Sequence, residues 1–167
     1  MILVSLGTEA FPFNRLIRAA DDLAEKFAGE PVFVQTGICP DAVMPQKCPS
    51  ARLMPYADLA ARVNEARIVI SHAGVGLLLM CLRAGKIPVV VPRRKKMGEH
   101  VDDHQLELAR RMAQQGYVIM TENTDELVSI VSNYENLQKK SAAVSSSQSR
   151  LAKALSSYLR VPNKSTP

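Results

Sequence analysis

Residues 67–92, Arg67-Ile-Val-Ile-Ser-His-Ala-Gly-Val-Gly-Leu-Leu-Leu-Met-Cys-Leu-Arg-Ala-Gly-Lys-Ile-Pro-Val-Val-Val-Pro92, decide the fold. Arg67–Ser71 is a short β-branched apolar run, the pattern of a strand buried on both faces. His72–Gly76 supplies a glycine turn, Leu77–Ala84 reads as an apolar helix stopped by Gly85, and Pro88–Val91 reads as the next strand, closed by Pro92. A strand, a helix and a second strand within so few residues make a crossover between parallel strands.

The same alternation extends in both directions. Met1–Leu6 is a second continuous apolar run, ended by Gly7 and Thr8. Asn14 can cap a helix running to about Ala28, with Leu16, Ala20, Leu23 and Phe27 on one face and Gly29 after it. Pro31–Thr36 follows as a strand, and Pro40, Pro45 and Pro49 make residues 38–50 a loop. Ala51–Met54 reads as a short strand and Asp58–Glu65 as a short helix. Beyond Arg93–Glu99, a helix is expected over Val101–Gln115, a strand over Tyr117–Met120, and a helix capped by Thr124 through Tyr134. The fold class is therefore α/β: a Rossmann-like, doubly wound parallel sheet with helices on both faces.

The 167 residues suit one domain with a sizeable core, and a hydrophobic content of 47% excludes disordered and collagen-like classes. No apolar stretch reaches the ~18 residues of a membrane span, and no signal peptide is expected at an N-terminus that opens on a strand. Three cysteines, at 39, 48 and 81, form no C-x-x-C pair and read as reduced thiols, Cys81 as core. A cytoplasmic location follows as an expectation.

The formal charge of +5 is unevenly placed. Residues 1–134 carry 15 Lys/Arg and 15 Asp/Glu, so the excess lies in Lys139, Lys140, Arg150, Lys153, Arg160 and Lys164, opposed by Glu135 alone. A neutral body with a basic tail argues against nucleic acid bound across the fold and leaves an anionic membrane surface or an acidic partner. Residues 1–134 are therefore expected to form the ligand-binding domain and 135–167 a separate basic region. There Leu151, Leu155, Tyr158 and Leu159 form an apolar helical stripe ahead of Pro162 and a frayed end.

Ligands of open parallel sheets bind beyond the carboxyl ends of the strands. Gly7–Pro12, His72–Gly76 and Arg93–Asp103 fall there. In the second loop, Gly74 and Gly76 either let backbone N–H groups approach a phosphate at a helix N-terminus or merely permit a tight turn. The spacing is not G-x-G-x-x-G, and no G-x-x-x-x-G-K-[ST], G-x-S-x-G or H-E-x-x-H occurs, which excludes P-loop, hydrolase-elbow and zincin chemistry. Glu99, His100, Asp102, Asp103, His104 and Gln105 crowd the third loop. They suit hydrogen bonding to sugar hydroxyls or a solvated helix start; His100 and His104 lack a convincing third ligand, so no metal is expected. Arg93-Arg-Lys-Lys96 reads as a solvated run or, beside the crevice, as a partner for a diphosphate or carboxylate.

Three blocks in order carry a resemblance: Ser71-His-Ala-Gly-Val-Gly76, Leu82-Arg-Ala-Gly-Lys-Ile-Pro-Val-Val-Val-Pro92 and Asp103-His-Gln-Leu-Glu-Leu-Ala109. Over about residues 1–130 the chain resembles glycosyltransferase family 28 and the nucleotide-sugar-binding C-terminal half of GT-B enzymes. It is most similar to single-domain subunits of two-component enzymes: the catalytic subunit that extends dolichol-linked sugar from UDP-N-acetylglucosamine, and bacterial exopolysaccharide and capsule subunits. Arg93–Ala109 resembles the bacterial group in particular.

The resemblance implies that Gly7 and Thr8 line the crevice. It further implies that His72, Gly74, Val75 and Gly76 present a helix N-terminus to the UDP diphosphate, and that Asp103, His104 and Gln105 meet the donor sugar. Pro88–Arg93 would run beside the uracil and ribose. Related sequences commonly have Thr or Ser where this chain has Val75, and Glu where it has Met80. The resemblance also implies inversion at the anomeric carbon, no cofactor beyond the UDP-sugar substrate, and a separate membrane-anchored subunit that binds the acceptor. That partner would also supply the general base; Glu99 and His100 are the internal candidates.

The leading expectation is a donor-binding subunit of an inverting UDP-sugar transferase, acting on a polyprenyl-diphosphate-linked saccharide in exopolysaccharide or capsule synthesis. UDP-glucuronate is the favoured donor, because Arg93 and Arg94 could pair its carboxylate. The protein would lie at the inner face of the cytoplasmic membrane, held by its partner and by the basic C-terminal helix. The rival expectations are a scaffold subunit that has lost donor binding through Val75 and Met80, and a nucleic-acid binder acting through the tail, whose one aromatic is Tyr158.

Overall fold

A computed structural model describes residues 1–144. The apolar runs form six parallel strands: β1 (Ile2–Ser5), β2 (Val32–Gln35), β3 (Ser50–Ala51), β4 (Ile68–Ser71), β5 (Val89–Val90) and β6 (Ile119–Met120). Their order is β3-β2-β1-β4-β5-β6. Every neighbouring pair is parallel, with Ser5 opposite Gln35 on one side and Ser71 on the other. The expected sheet is therefore present, and chain order reverses between β1 and β4. That is the position at which such sheets open a crevice.

Side chains of successive strand residues point to opposite faces, and the core divides accordingly. Ile2, Val4, Ile68 and Ile70 pack with α1 (Asn14–Lys26), and further helices of the same face are α5 (Leu127–Ser132) and α6 (Tyr134–Val144). Leu3 and Val69 pack against α2 (Tyr56–Glu65) and α3 (Val75–Arg83). Val90 joins α3 to α4 (His104–Gln114) through Leu78, Leu108, Ala109 and Met112. Cys81 is buried in this core as expected, and all three cysteines are free.

Several boundaries differ from the sequence expectations for local reasons. Asn14 does not cap α1; its Oδ1 accepts from Val43 N, 3.0 Å away, and so tethers the proline loop. Asp21 tethers the same loop by accepting from Gln46 N and Lys47 N. Helix α4 starts at His104 rather than Val101, because Gly98, at φ 70°, closes a 3-10 turn over Lys95–Met97. Asp102 and Asp103 then spend their carboxylates on the backbone N–H groups of His104 and Lys95. Asn123, not Thr124, accepts from Asp125 N to start the last helical segment, which breaks at Asn133 into α5 and α6.

Helix α6 crosses residue 135 without interruption. Tyr134 is 2% exposed and donates to Ile87 O at 2.8 Å, Leu137 packs on the core, and Glu135 pairs with Arg67 at 3.0 Å. The expected stripe at Leu151–Leu159 lies outside the described residues. Replacing Tyr134 with Phe leaves the Ile87 carbonyl without its donor. This variant should lower the unfolding free energy by about 1 kcal/mol, read as a lower urea midpoint at unchanged slope.

Candidate functional site

Each of the three central strands ends in a polar residue after an apolar run: Ile-Leu-Val-Ser5, Val-Phe-Val-Gln35 and Ile-Val-Ile-Ser71. These three residues are neighbours in register and face the same side as Leu3, Phe33 and Val69. They close the apolar layer with a polar row. Ser5 Oγ donates to Gln35 Oε1 at 2.6 Å, and the Ser71 hydroxyl is buried without a partner. Over Ser5 and Gln35 opens a cavity of about 290 Å³, at the lower end of the ~300–1,000 Å³ of small-molecule sites.

The cavity has three further sides. Tyr56 and Leu59 of α2 with Leu77 and Met80 of α3 make an apolar wall. Gly74 and Gly76 bring the start of α3 to the opening, and Gly7, Thr8 and Glu9 form the rim. No side chain caps the first turn of α3, so its backbone N–H groups and positive dipole end offer a place for an anion. The turn into α3 stores strain: Ala73 has φ 67°, the one positive φ at a non-glycine among the described residues. Such a conformation costs ~1 kcal/mol or more and persists only where surrounding packing enforces it. Here Ala73 is 1% exposed.

His72 lies at the centre. Its Nδ1 is 3.3 Å from Ser5 O; a carbonyl only accepts, so Nδ1 carries the proton and Nε2 the lone pair. Burial, reinforced by the Arg93 charge, pushes its pKa down to about 4, so the ring is neutral near pH 7. Two glycines make room for it. A Cβ at Gly7 would stand 2.4 Å from the ring, and a Cβ at Gly74 would stand 2.3 Å from Nε2. Gly74, expected from the sequence to admit a phosphate, is thus also required by the imidazole, whereas a Cβ at Gly76 would meet nothing within 4 Å.

The loop after β5 behaves differently from expectation. Arg93 is 1% exposed. Its Nη1 donates to Phe11 O (2.9 Å) and Glu99 O (3.1 Å), its Nη2 donates to Leu6 O (2.9 Å), and the guanidinium lies over the Phe13 ring. It is neither a solvated cation nor free to meet a substrate carboxylate. Arg94 pairs with Glu122 at 3.2 Å. The basis for preferring UDP-glucuronate is therefore removed.

Glu99 also fails as a general base. It is 4% exposed, it accepts from Arg15 Nε and Nη2 at 2.8 and 3.0 Å, and it accepts from Arg94 N at 3.0 Å. His100, the other internal candidate, has Nδ1 3.1 Å from Asp102 Oδ1, and its ring stands 6.0 Å from that of Phe11. Asp102 also holds His104 at 2.8 Å, which raises the His104 pKa and lowers that of Asp102.

The expected site residues therefore fall into two groups. Gly7, Thr8, His72, Gly74 and Gly76 meet around the cavity, with Val75 beside them turned into the core. Arg93, Asp103, His104 and Gln105 line no part of it, and neither do Pro88–Val91. Gln105 Oε1 instead accepts from Arg93 N at 3.3 Å. Ser5, Gln35, Tyr56 and Leu59 line the cavity without having been anticipated, and Glu9 was anticipated only as a member of the Gly7–Pro12 loop. Polar residues closing adjacent apolar runs were the readable signal for Ser5 and Gln35. Among the described residues no group of three or more His, Cys, Asp or Glu could hold a metal ion.

The model of the glycosyltransferase family 28 C-terminal domain matches residues 1–158. Over 70 residues the chain is 41% identical to the UDP-N-acetylglucosamine transferase subunit ALG13 of Yarrowia lipolytica, covering 42% of this chain and 34% of that protein. The human protein of the same name is 42% identical over 64 residues, which cover 38% of this chain and 5% of that protein. The matched stretch thus spans about a third or less of these relatives' length. Among solved structures, the kitacinnamycin glycosyltransferase superposes with TM-score 0.58 at 18% identity, covering 93% of this chain and 42% of that one. The calicheamicin glycosyltransferase CalG4 gives 0.56 at 18%, covering 96% and 42%. At this identity the likeness is one of fold.

Two measurements check the His72 arrangement. Gly74 has φ −70°, which alanine adopts freely, so the cost of Gly74→Ala is the contact with the ring. It should destabilise by roughly 1–3 kcal/mol, and most of that cost should vanish in a His72→Ala background, as a double-mutant cycle reads it. The buried neutral imidazole also makes stability fall in acid. The unfolded chain takes up the His72 proton near pH 6.5 and the folded chain only near 4. Stability should therefore decline from about pH 6.5 down to 4 and level off below, by up to roughly 3 kcal/mol. A His72→Gln variant should lack that component of the acid loss in pH-dependent denaturation.

Proposed function

Because this chain belongs to the glycosyltransferase family 28 C-terminal domain family, we propose that it is the donor-binding subunit of an inverting, UDP-sugar-dependent glycosyltransferase. The acceptor in this reading is a polyprenyl-diphosphate-linked saccharide. The observation that carries the reading is the cavity at the β1/β4 switch point, where an apolar wall adjoins an uncapped helix N-terminus. A nucleoside fits the wall, with its base against Tyr56 and Leu59 and its ribose near Met80. The diphosphate then meets the backbone N–H groups of α3. These donors are fixed before the reaction, so they stabilise the charge that develops on the departing UDP without reorganising. The donor is a substrate, and no resident cofactor is needed.

The wall at Met80 offers the ribose no carboxylate, so donor affinity from this chain rests on the base and the phosphates. With Glu99 committed to Arg15 and His100 paired with Asp102 away from the cavity lining, the base that activates the acceptor comes from a second subunit. The relatives whose names describe them as subunits support such an arrangement. No helix among the described residues is long and apolar enough to cross a membrane, and the partner supplies the membrane anchor in this proposal. The resemblance of Arg93–Ala109 to exopolysaccharide and capsule subunits supports that biosynthetic setting, at the inner face of the cytoplasmic membrane.

Calorimetry on the full chain, alone and with its co-purifying partner, tests the reading with uridine, UMP and UDP. Affinity should rise at least severalfold with each phosphate added. Gly76→Asp is the informative variant: a Cβ there meets nothing within 4 Å. An acidic residue in the first turn of a helix is stabilising. This variant should keep or raise the melting temperature while weakening UDP binding by about tenfold or more. A chain that binds no UDP under either condition would overturn the proposal and favour a scaffold subunit.

A further inference from the structure

The charge around the cavity bears on which sugars the donor can carry. No lysine or arginine lines it, His72 is neutral, and the one acidic side chain in its lining is Glu9. Glu9 is half-buried, and its carboxylate takes no hydrogen bond or ion pair from any described residue. The Arg93 charge does reach Glu9, but its guanidinium is buried and held by three backbone carbonyls, so it cannot pair a substrate carboxylate. Arg15 is committed to Glu99 and Arg94 to Glu122. Lys95 and Lys96 stand on the 3-10 turn beyond β5 and line no part of the cavity.

The placement of Glu9 matters as much as its charge. Tyr56, Leu59 and Met80 belong to the helices on one face of the sheet, whereas the loop carrying Glu9 crosses the carboxyl edge towards α1 on the other. A nucleoside diphosphate with its base on that wall and its phosphates on the α3 N-terminus directs its sugar over Thr8 and Glu9. There a free carboxylate accepts hydrogen bonds from sugar hydroxyls. It also repels a second carboxylate, and the cavity lining holds no cation to relieve the repulsion.

We propose that Glu9 is a specificity-determining residue that admits donors with an uncharged hexose or N-acetylhexosamine and rejects uronic acid donors. This inference rests on the cavity being the donor site. It reverses the donor preference expected from the Arg93-Arg94 sequence, because the structure turns those cations away and leaves Glu9 at the rim.

Competition against UDP on the full chain tests it, using UDP-glucose, UDP-N-acetylglucosamine and UDP-glucuronate at low and moderate salt. The wild type should bind UDP-glucuronate at least about tenfold more weakly than UDP-glucose, with a gap that narrows as salt screens the charges. Glu9→Gln, nearly isosteric, should shrink the gap to within about threefold, and Glu9→Lys should invert the preference. Circular dichroism establishes that each variant is folded. Equal binding of the two donors by the wild type, or an unchanged ratio in both folded variants, overturns the role of Glu9 while leaving the donor site intact. Failure of UDP itself to bind overturns both.

Discussion

A buried charge organises the carboxyl edge of this sheet. Arg93 leaves β5 pointing inward, and its guanidinium collects the carbonyls of Leu6, Phe11 and Glu99 while stacking on Phe13. Burial lowers its pKa to about 10, which still leaves it cationic near pH 7. An isolated charge in this position would be strongly destabilising, so the carbonyls that solvate it are held where they are. Those carbonyls come from the loop after β1 and the loop after β5, which are thereby clamped together. Arg15 repeats the arrangement one layer out, holding Glu99 with two nitrogens while donating to Pro92 O and Glu122 O. A lysine could not span three carbonyls with a planar fork or stack on Phe13 in the same way.

This clamp explains what could and could not be read from the chain. The apolar runs at Ile2–Ser5, Val32–Gln35 and Ile68–Ser71 identified the strands, because a strand buried on both faces has no other composition available. Gly74 was legible as a place where the backbone comes close to something. That the something includes the neighbouring imidazole needed three dimensions. The run Arg93-Arg-Lys-Lys96 carries no mark that distinguishes its first member from its last. Only the direction of β5 sends Arg93 into the core while Lys95 and Lys96 stay outside. Glu99 misleads for the same reason: a carboxylate in a polar loop looks available until its two arginine nitrogens and the Arg94 N–H are seen.

The segment 97–105 is legible as polar and illegible as to purpose, because its polar groups serve one another. Asp102 is shared between His100 and His104, Asp103 caps the Lys95 N–H, and Gln105 accepts from the Arg93 N–H. Six polar residues of types suited to ligand binding therefore build a loop. By contrast, Ser5, Gln35 and Ser71 occupy the last positions of three adjacent strands, where a polar residue must be satisfied locally or face a ligand. The buried, unpartnered Ser71 hydroxyl belongs to that row.

The neutral His72 gives the cavity its electrostatic character. Its ring is desolvated, it spends its proton on Ser5 O, and it offers no positive charge to an anion above it. With no lysine or arginine in the lining either, the donors that an anion in the cavity can touch are the backbone N–H groups at the start of α3, and the buried Arg93 charge acts only at a distance, through His72. Backbone N–H groups act only through their direction, and the direction of this turn is set by Ala73 in a left-handed conformation. A side-chain cation could have tolerated a relaxed turn, since it reaches its ligand by rotating bonds of its own. A site that uses the peptide dipole has no such freedom. The strain at Ala73, the two glycines around His72 and the Arg93 clamp beneath the Gly7 loop then form one device, which holds a few N–H vectors still.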